Sequence, residues 1–226
     1  MKQSSNTTGL LAFPHRNWGG RRKGAGRKPK DVSAGVSHRR RAALASRFPV
    51  HVTTRLQQGL PSLRSKRVYT ALRAAFAAGC NRAGFRLVHY SVQRNHLHMI
   101  VESADGTCLS RGMQGLLIRV ARTLNRLWSR SGKVFADRYH DHILRTPREV
   151  RHALAYVLNN ARRHGLRLKL AIDHFTSGWW FDGWREKPTF KGLSSIQQPV
   201  AEARTWLLSA GWRKHRLISF EEVPGG

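Results

Sequence analysis

The stretch FRLVHYSVQRNHLHMIVES, residues 85–103, decides the fold of this chain. Residues 85–93 and 97–103 are apolar runs rich in β-branched and aromatic residues, which is typical of β-strands. Only a short segment with Arg94 and Asn95 separates them, and so short a connection joins neighbouring strands in antiparallel fashion. The stretch therefore predicts a β-hairpin.

The second strand of this hairpin carries two histidines on one face. Alternate residues of a strand share a face, so Leu97, Met99 and Val101 are predicted to point into the core. His96 and His98 then point the other way. Two imidazoles at positions i and i+2 can converge on one divalent ion. A pair of partly exposed, hydrogen-bonded histidines would have the same spacing, so the pair alone leaves both interpretations open.

The segments around the hairpin complete a recognisable order of elements. Period-two alternation predicts a strand over residues 50–56, and helical spacing of apolar residues predicts helices within 62–84 and 113–132. A further strand is predicted within 134–145 and a helix over 146–165. The order β-α-β-β-α-β, followed by one more helix, predicts an α+β fold of the ferredoxin-like, split βαβ type. Its core is a four-stranded antiparallel sheet with two helices on one face.

The charge balance indicates a polyanionic partner. Forty-one Lys and Arg residues stand against 12 Asp and Glu residues, giving a formal net charge of +29. Such an excess destabilises a compact state, and it suits nucleic acid. The sequence has no long apolar span and no signal-peptide pattern, so a membrane partner is not expected. Cys80 and Cys108 have no CxxC partner, which is typical of a reducing compartment, and we expect a cytoplasmic protein.

Three regions are predicted along the chain. Residues 1–47 are interpreted as a flexible basic arm, residues 48–166 as the folded core domain, and residues 167–226 as an aromatic-rich C-terminal extension. In the arm, Gly-Arg-Lys-Pro resembles the core of AT-hook minor-groove binders, while a non-specific electrostatic tether is the alternative. The expected DNA contacts of the arm are Arg21, Arg22, Lys23, Arg27 and Lys28.

The last core helix carries a polar stripe with a tyrosine at its centre. Thr146 is the predicted N-cap, Pro147 a first-turn residue and Gly165 the stop. Residues three and four positions apart share a helix face. The stripe consists of Glu149, His152, Tyr156, Asn160 and Arg163, and the adjoining apolar face consists of Val150, Ala153, Leu154, Val157 and Ala161.

This stripe could place a phenol beside the two strand histidines. A phenol ionises near pH 10 and is a poor nucleophile at neutral pH. A cation that polarises a phosphate, together with nearby arginines, would make attack of Tyr156 on phosphorus feasible. A structural tyrosine with a hydrogen-bonded hydroxyl at the edge of the core is the alternative.

Other histidines and aromatic residues have weaker signals. His140 and His142 share one strand face, opposite Tyr139, and we interpret them as mostly structural, with His142 a candidate DNA contact. His51 and His89 have no evident partner in the sequence. In the extension, packing on the core is predicted for Trp206, Leu207 and Trp212, and stacking of unpaired bases is the alternative use of its aromatic residues.

The segments NHLHMIV, GKVFADRYHDHILR and ALAYVLNNARRHG, in this order, resemble the single-tyrosine HUH transposases, and within them the bacterial REP-associated tyrosine transposases. His96, Leu97 and His98 match the histidine-hydrophobe-histidine motif. Tyr156 and Asn160 match the family's tyrosine helix. Ala161 stands where the family usually has proline.

The resemblance implies a metal-dependent DNA transposase. His96, His98 and Asn160 would bind Mg²⁺ or Mn²⁺, and Tyr156 would cleave and rejoin single-stranded DNA at hairpin-forming palindromes through a 5′-phosphotyrosine intermediate. Arg163 joins the expected DNA-binding residues, and the expected location is the bacterial nucleoid. Dimers are common in the family, so a homodimer is a further expectation. A non-catalytic nucleic-acid-binding regulator on the same fold is the alternative function.

Overall fold

The computed structural model describes residues 42–163, 171–187 and 197–223. These residues all belong to one compact unit of the chain, residues 36–226. Most of the predicted basic arm, with its five expected DNA contacts, lies outside the described residues. Gly165, the predicted stop of the tyrosine helix, also lies outside them.

The described residues form five strands and five α-helices. In chain order these are β1 (Val50–Arg55), α1 (Lys66–Ala77), β2 (Asn81–Arg82), β3 (Phe85–Val92), β4 (His96–Ser103), α2 (Gly106–Leu127), β5 (His140–Ile143), α3 (Pro147–Leu158), α4 (Asn160–Arg163) and α5 (Trp206–Ser209). Two short 3₁₀ helices, Ser177–Trp180 and Gly211–His215, lie in the C-terminal extension.

One antiparallel sheet unites the five strands in the order β2-β3-β4-β1-β5. The predicted ferredoxin-like α+β fold is confirmed, and the β3–β4 hairpin falls where it was predicted. The sheet has one strand more than predicted. This extra strand, β2, pairs with the start of β3 across a turn at Gly84, whose φ is +70°. Two residues are too few to display a period-two pattern, so the sequence gave no signal for β2.

The two faces of the sheet are covered by different elements. Helices α1 and α2 pack on one face, in a core that includes Val52, Leu97 and Met99. Helix α3 and the C-terminal extension pack on the other face, around Ile100 and Leu154. The alternation of β4 thus directs its residues as predicted, and the five apolar residues predicted for α3 are all buried. The histidine face of β4 therefore lies on the side of the sheet that α3 covers.

Helix α3 begins as predicted and ends earlier than predicted. Thr146 accepts a hydrogen bond from the Glu149 N–H, and Pro147 occupies the first turn. The helix ends at Leu158, and Asn159 leaves the helical conformation with φ −104° and ψ 18°. Its side-chain amide donates to the carbonyl oxygens of Ser219 and Glu222, both at 2.9 Å. This contact with the extension interrupts a pattern that reads as one helix in the sequence.

The C-terminal extension is attached to the core by buried polar contacts. Glu102, 1 % exposed on β4, accepts hydrogen bonds from the backbone N–H groups of Arg204 and Thr205. Leu207 and Trp212 are buried as predicted, whereas Trp206 is 55 % exposed and does not pack into the core. Within the described ranges, no helix is long and apolar enough to cross a membrane.

Candidate active site

Strand register gathers the site on the α3 side of the sheet. In the β1–β4 pair, Thr53 lies opposite His98, and in the β1–β5 pair His51 lies opposite His142. Directly opposed residues of an antiparallel pair point to the same face. Side chains from three strands therefore meet beside α3, which carries Tyr156.

The predicted histidine pair and the predicted tyrosine lie together. The ring centroids of His96 and His98 are 4.8 Å apart, with their planes nearly perpendicular. The Tyr156 ring is edge-on to His98, with centroids 5.0 Å apart and an angle of 88° between the planes. His51 completes the group, with its ring centroid 5.7 Å from that of Tyr156. A phenol thus faces two imidazoles of neighbouring strands.

His98 is held from the side of its Nδ1 atom. This nitrogen lies 3.1 Å from the hydroxyl oxygen of Thr53 and 3.3 Å from Nε2 of His51. The ring of His51 is also stacked on that of His98, with centroids 5.4 Å apart. His96 has a comparable contact, since its Nδ1 lies 2.9 Å from the side-chain oxygen of Asn95. In both histidines a neighbour engages Nδ1, which leaves the Nε2 edge as the face turned away from that neighbour.

His51 is neutral at physiological pH. Burial lowers its pKa to about 4, and the nearby His142 adds to the effect. A neutral imidazole can accept a hydrogen bond at one ring nitrogen. His51 can therefore accept from a protonated Nδ1 of His98 without adding a positive charge beside it.

The end of the tyrosine helix contributes a cation and a buried amide. The guanidinium carbon of Arg163 lies 5.2 Å from the centroid of the Tyr156 ring, within cation–π range. Asn160 is fully buried, and neither its side-chain oxygen nor its nitrogen has a hydrogen-bond partner among the described residues. The predicted polar stripe is thus wrong for Asn160, which the break at Asn159 accompanies into the interior. His152 remains on the exposed side of α3.

The donor set fits a divalent ion in part. Among the described residues, no group of three or more His, Cys, Asp or Glu side chains is placed to hold a metal ion. Two neighbouring imidazoles, His96 and His98, are present, and the unsatisfied amide of Asn160 is a polar group that a ligand would stabilise. Such a site would leave several coordination positions to water and phosphate oxygens, as hard cations prefer.

The sequence analysis missed two contributors to the site, His51 and Thr53. Their position on alternate residues of β1, facing away from Val52, was readable from the strand pattern. Their contact with His98 depends on pairing between residues 45 and 47 positions apart, which no local pattern reveals. Tyr139 is buried in the opposite core, as its alternation with His140 and His142 predicted.

Fold and site together define a single-tyrosine protein of the HUH type, in which a histidine-hydrophobe-histidine strand faces a tyrosine helix. The family model described as "Transposase IS200 like" matches residues 45–160, just over half of the 226-residue chain. The chain belongs to this family of DNA transposases.

Among solved structures, the chain is similar to one described as a REP-associated tyrosine transposase bound to a REP hairpin. The TM-score is 0.50 at 20 % sequence identity, over 62 % of this chain and 82 % of the other. This likeness concerns the fold. A comparison with curated proteins gave no significant match.

Proposed function

We propose that this protein is a metal-dependent transposase that cleaves and rejoins single-stranded DNA at hairpin-forming sequences. The observation that carries the proposal is the edge-on placement of the Tyr156 ring against His98, with His96 beside it. A tyrosine with a merely structural role would not require two imidazoles on the facing strand. Family membership supplies the reaction class, and the geometry supports the roles of individual residues.

The proposed metal ligands are His96, His98 and Asn160. A proton on Nδ1 of His98, donated to Thr53, would leave Nε2 with the lone pair that a metal ion requires. The amide oxygen of Asn160 is the proposed third donor, because its burial without a protein partner is costly unless a ligand compensates it. Bound Mg²⁺ or Mn²⁺ would polarise the scissile phosphate and offset its negative charge.

In the proposed reaction, the Tyr156 hydroxyl oxygen attacks phosphorus and loses its proton to solvent or a nearby base. The bond from phosphorus to the 3′-oxygen breaks, this oxygen takes up a proton as a 3′-hydroxyl, and the 5′-phosphate stays on the tyrosine. Attack by another 3′-hydroxyl reverses the step and rejoins the strand. Arg163, whose charge lies over the Tyr156 ring, would attract the substrate phosphates.

The proposed substrate is single-stranded DNA that contains hairpin-forming palindromes. The structurally similar transposase is itself described as bound to a REP hairpin, and the net charge of +29 suits any DNA ligand. Since this substrate is chromosomal, the proposed place of action is the bacterial cytoplasm, at the nucleoid. The basic arm, with Arg21, Arg22, Lys23, Arg27 and Lys28, stays a predicted DNA contact, and homodimer formation stays a prediction.

Adduct formation with a hairpin oligonucleotide tests the proposal. The full chain is incubated with hairpin-bearing single strands and Mn²⁺, and a covalent protein–DNA product is sought by denaturing electrophoresis. Tyr156→Phe is expected to abolish the adduct. Tyr139→Phe is the matched control, because Tyr139 is buried in the core on the other side of the sheet, and its adduct should persist.

The same assay separates the competing functions. Tight hairpin binding without an adduct, over a panel of hairpins, would favour a non-catalytic regulator. Cleavage that survives Tyr156→Phe would indicate a hydrolytic nuclease. The variants His96→Ala and His98→Ala should abolish cleavage while hairpin binding persists, and unchanged cleavage would refute the assignment of metal ligands.

A further inference from the structure

Helix α2 carries all of its charged residues on one side. These residues are Arg111, Arg119, Arg122 and Arg126. Successive residues of a helix are about 100° apart, so the four arginines fall within an arc of about 80° and along about 22 Å of the helix axis. The rest of the solvent-facing surface is occupied by neutral residues, among them Thr107, Ser110, Gln114 and Asn125. The helix contains no acidic residue.

Three of these arginines line a groove without any acidic partner. Arg119, Arg122 and Arg126, with Gly115 and Ile118 among their neighbours, enclose a space of about 310 Å³. No carboxylate of the described ranges forms an ion pair with any of the three, although other arginines of the chain do form such pairs. Like charges three and four residues apart repel each other on a helix. A polyanion that neutralises them would therefore stabilise this surface.

The chemistry of the groove favours a phosphate backbone over exposed bases. Recognition of single strands normally uses aromatic side chains on which bases stack. The groove has no aromatic residue in its lining, and its large apolar residue is Ile118. Duplex DNA hides its bases and presents closely spaced phosphates along its axis. A straight row of arginines on a helix matches that pattern of charge.

The groove is separated from the candidate active site by the sheet. Helix α2 packs with α1 on one face, whereas Tyr156 belongs to α3 on the other. We propose that the arginine side of α2 binds the phosphate backbone of double-stranded DNA while the opposite face holds the strand to be cut. The duplex-binding part stands by itself, and the simultaneous use of both faces depends on the proposed function.

A charge-neutralised triple variant tests this surface. Glutamine has nearly the helix propensity of arginine, so Arg119→Gln/Arg122→Gln/Arg126→Gln should leave α2 folded, which circular dichroism and thermal melting would verify. Affinity for a blunt 25-base-pair duplex is measured by fluorescence anisotropy between 50 and 200 mM NaCl. Each lost phosphate contact lowers the slope of log K against log salt by about 0.9, so the salt-dependent loss of affinity should become about 40-fold smaller.

The matched control removes the same charge from scattered exposed positions. Arg67→Gln/Arg82→Gln/Arg148→Gln lies on α1, β2 and α3, and its slope should change by less than one. An equal slope change in both triple variants would reduce the effect to net charge and overturn the proposal. A loss confined to unstructured single strands would assign the groove to that ligand instead.

Occupancy of both faces has its own readout. Protein saturated with a hairpin oligonucleotide should still bind the labelled duplex with unchanged affinity, and the α2 variant should keep its hairpin binding. Mutual exclusion of the two DNAs would overturn the two-face arrangement. Adduct formation at Tyr156 is measured separately, so failure of the catalytic proposal and failure of the duplex surface are distinguishable.

Discussion

Replacement of Thr53 by valine should weaken metal binding while leaving the fold intact. Valine has the shape of threonine without its hydroxyl, so the change removes the 3.1 Å contact to Nδ1 of His98. The 3.3 Å contact from His51 remains and still restrains the ring. Loss of one hydrogen bond corresponds to about 1 kcal/mol, and partners that orient metal ligands typically contribute 10- to 100-fold in affinity. We expect a Kd for Mn²⁺ that is about tenfold higher.

The adjacent residue supplies the control. Thr54 points to the opposite face, is 2 % exposed, and its hydroxyl has no hydrogen-bond partner among the described residues. Thr54→Val should therefore leave the Mn²⁺ affinity unchanged. Thr53→Ser keeps a hydroxyl at the same position and should restore affinity to within about twofold of the original protein.

Titration of free Mn²⁺ by electron paramagnetic resonance measures this affinity without DNA and without activity. In the cleavage assay, Thr53→Val should raise the Mn²⁺ concentration needed for half-maximal rate and keep the rate at saturation. An unchanged Mn²⁺ affinity in Thr53→Val, or an equal loss in Thr54→Val, would refute the reasoning that Thr53 orients His98. A lowered rate at saturating metal with normal affinity would also contradict it.

Three further predictions follow from contacts within one chain. Because Tyr156 faces His98 of the same chain, a mixture of Tyr156→Phe and His98→Ala proteins should form no DNA adduct, and recovered adduct would indicate a site shared between chains. Trp212→Ala should cost about 3–5 kcal/mol in urea unfolding, since Trp212 is buried against α3; a cost below about 1 kcal/mol would contradict this packing. Gly112→Ala should lower the melting temperature, because its Cβ would overlap a phenylalanine ring of β3, whereas Gly115→Ala, with open space around it, should not.

Much of the fold follows from local patterns in the sequence. Strand alternation assigned the faces of β4, and helical spacing assigned the buried face of α3, because burial selects apolar residues at the period of each element. The N-terminus of α3 followed from Thr146 and Pro147, whose preference for helix starts is local chemistry. The histidine pair and the tyrosine were identifiable as candidates because each lies on a predictable face of its own element.

The assembled site required long-range contacts. Whether Thr53 lies opposite His98 depends on the register of β1 and β4, which are joined only through α1 and the hairpin. The break at Asn159, and with it the burial of Asn160, depends on hydrogen bonds to residues about 60 positions away. Sequence periodicity describes one element at a time, and its residues therefore specify which face a side chain occupies. The neighbours that orient His98 and bury Asn160 come from other elements, and only packing of the whole chain brings them into contact.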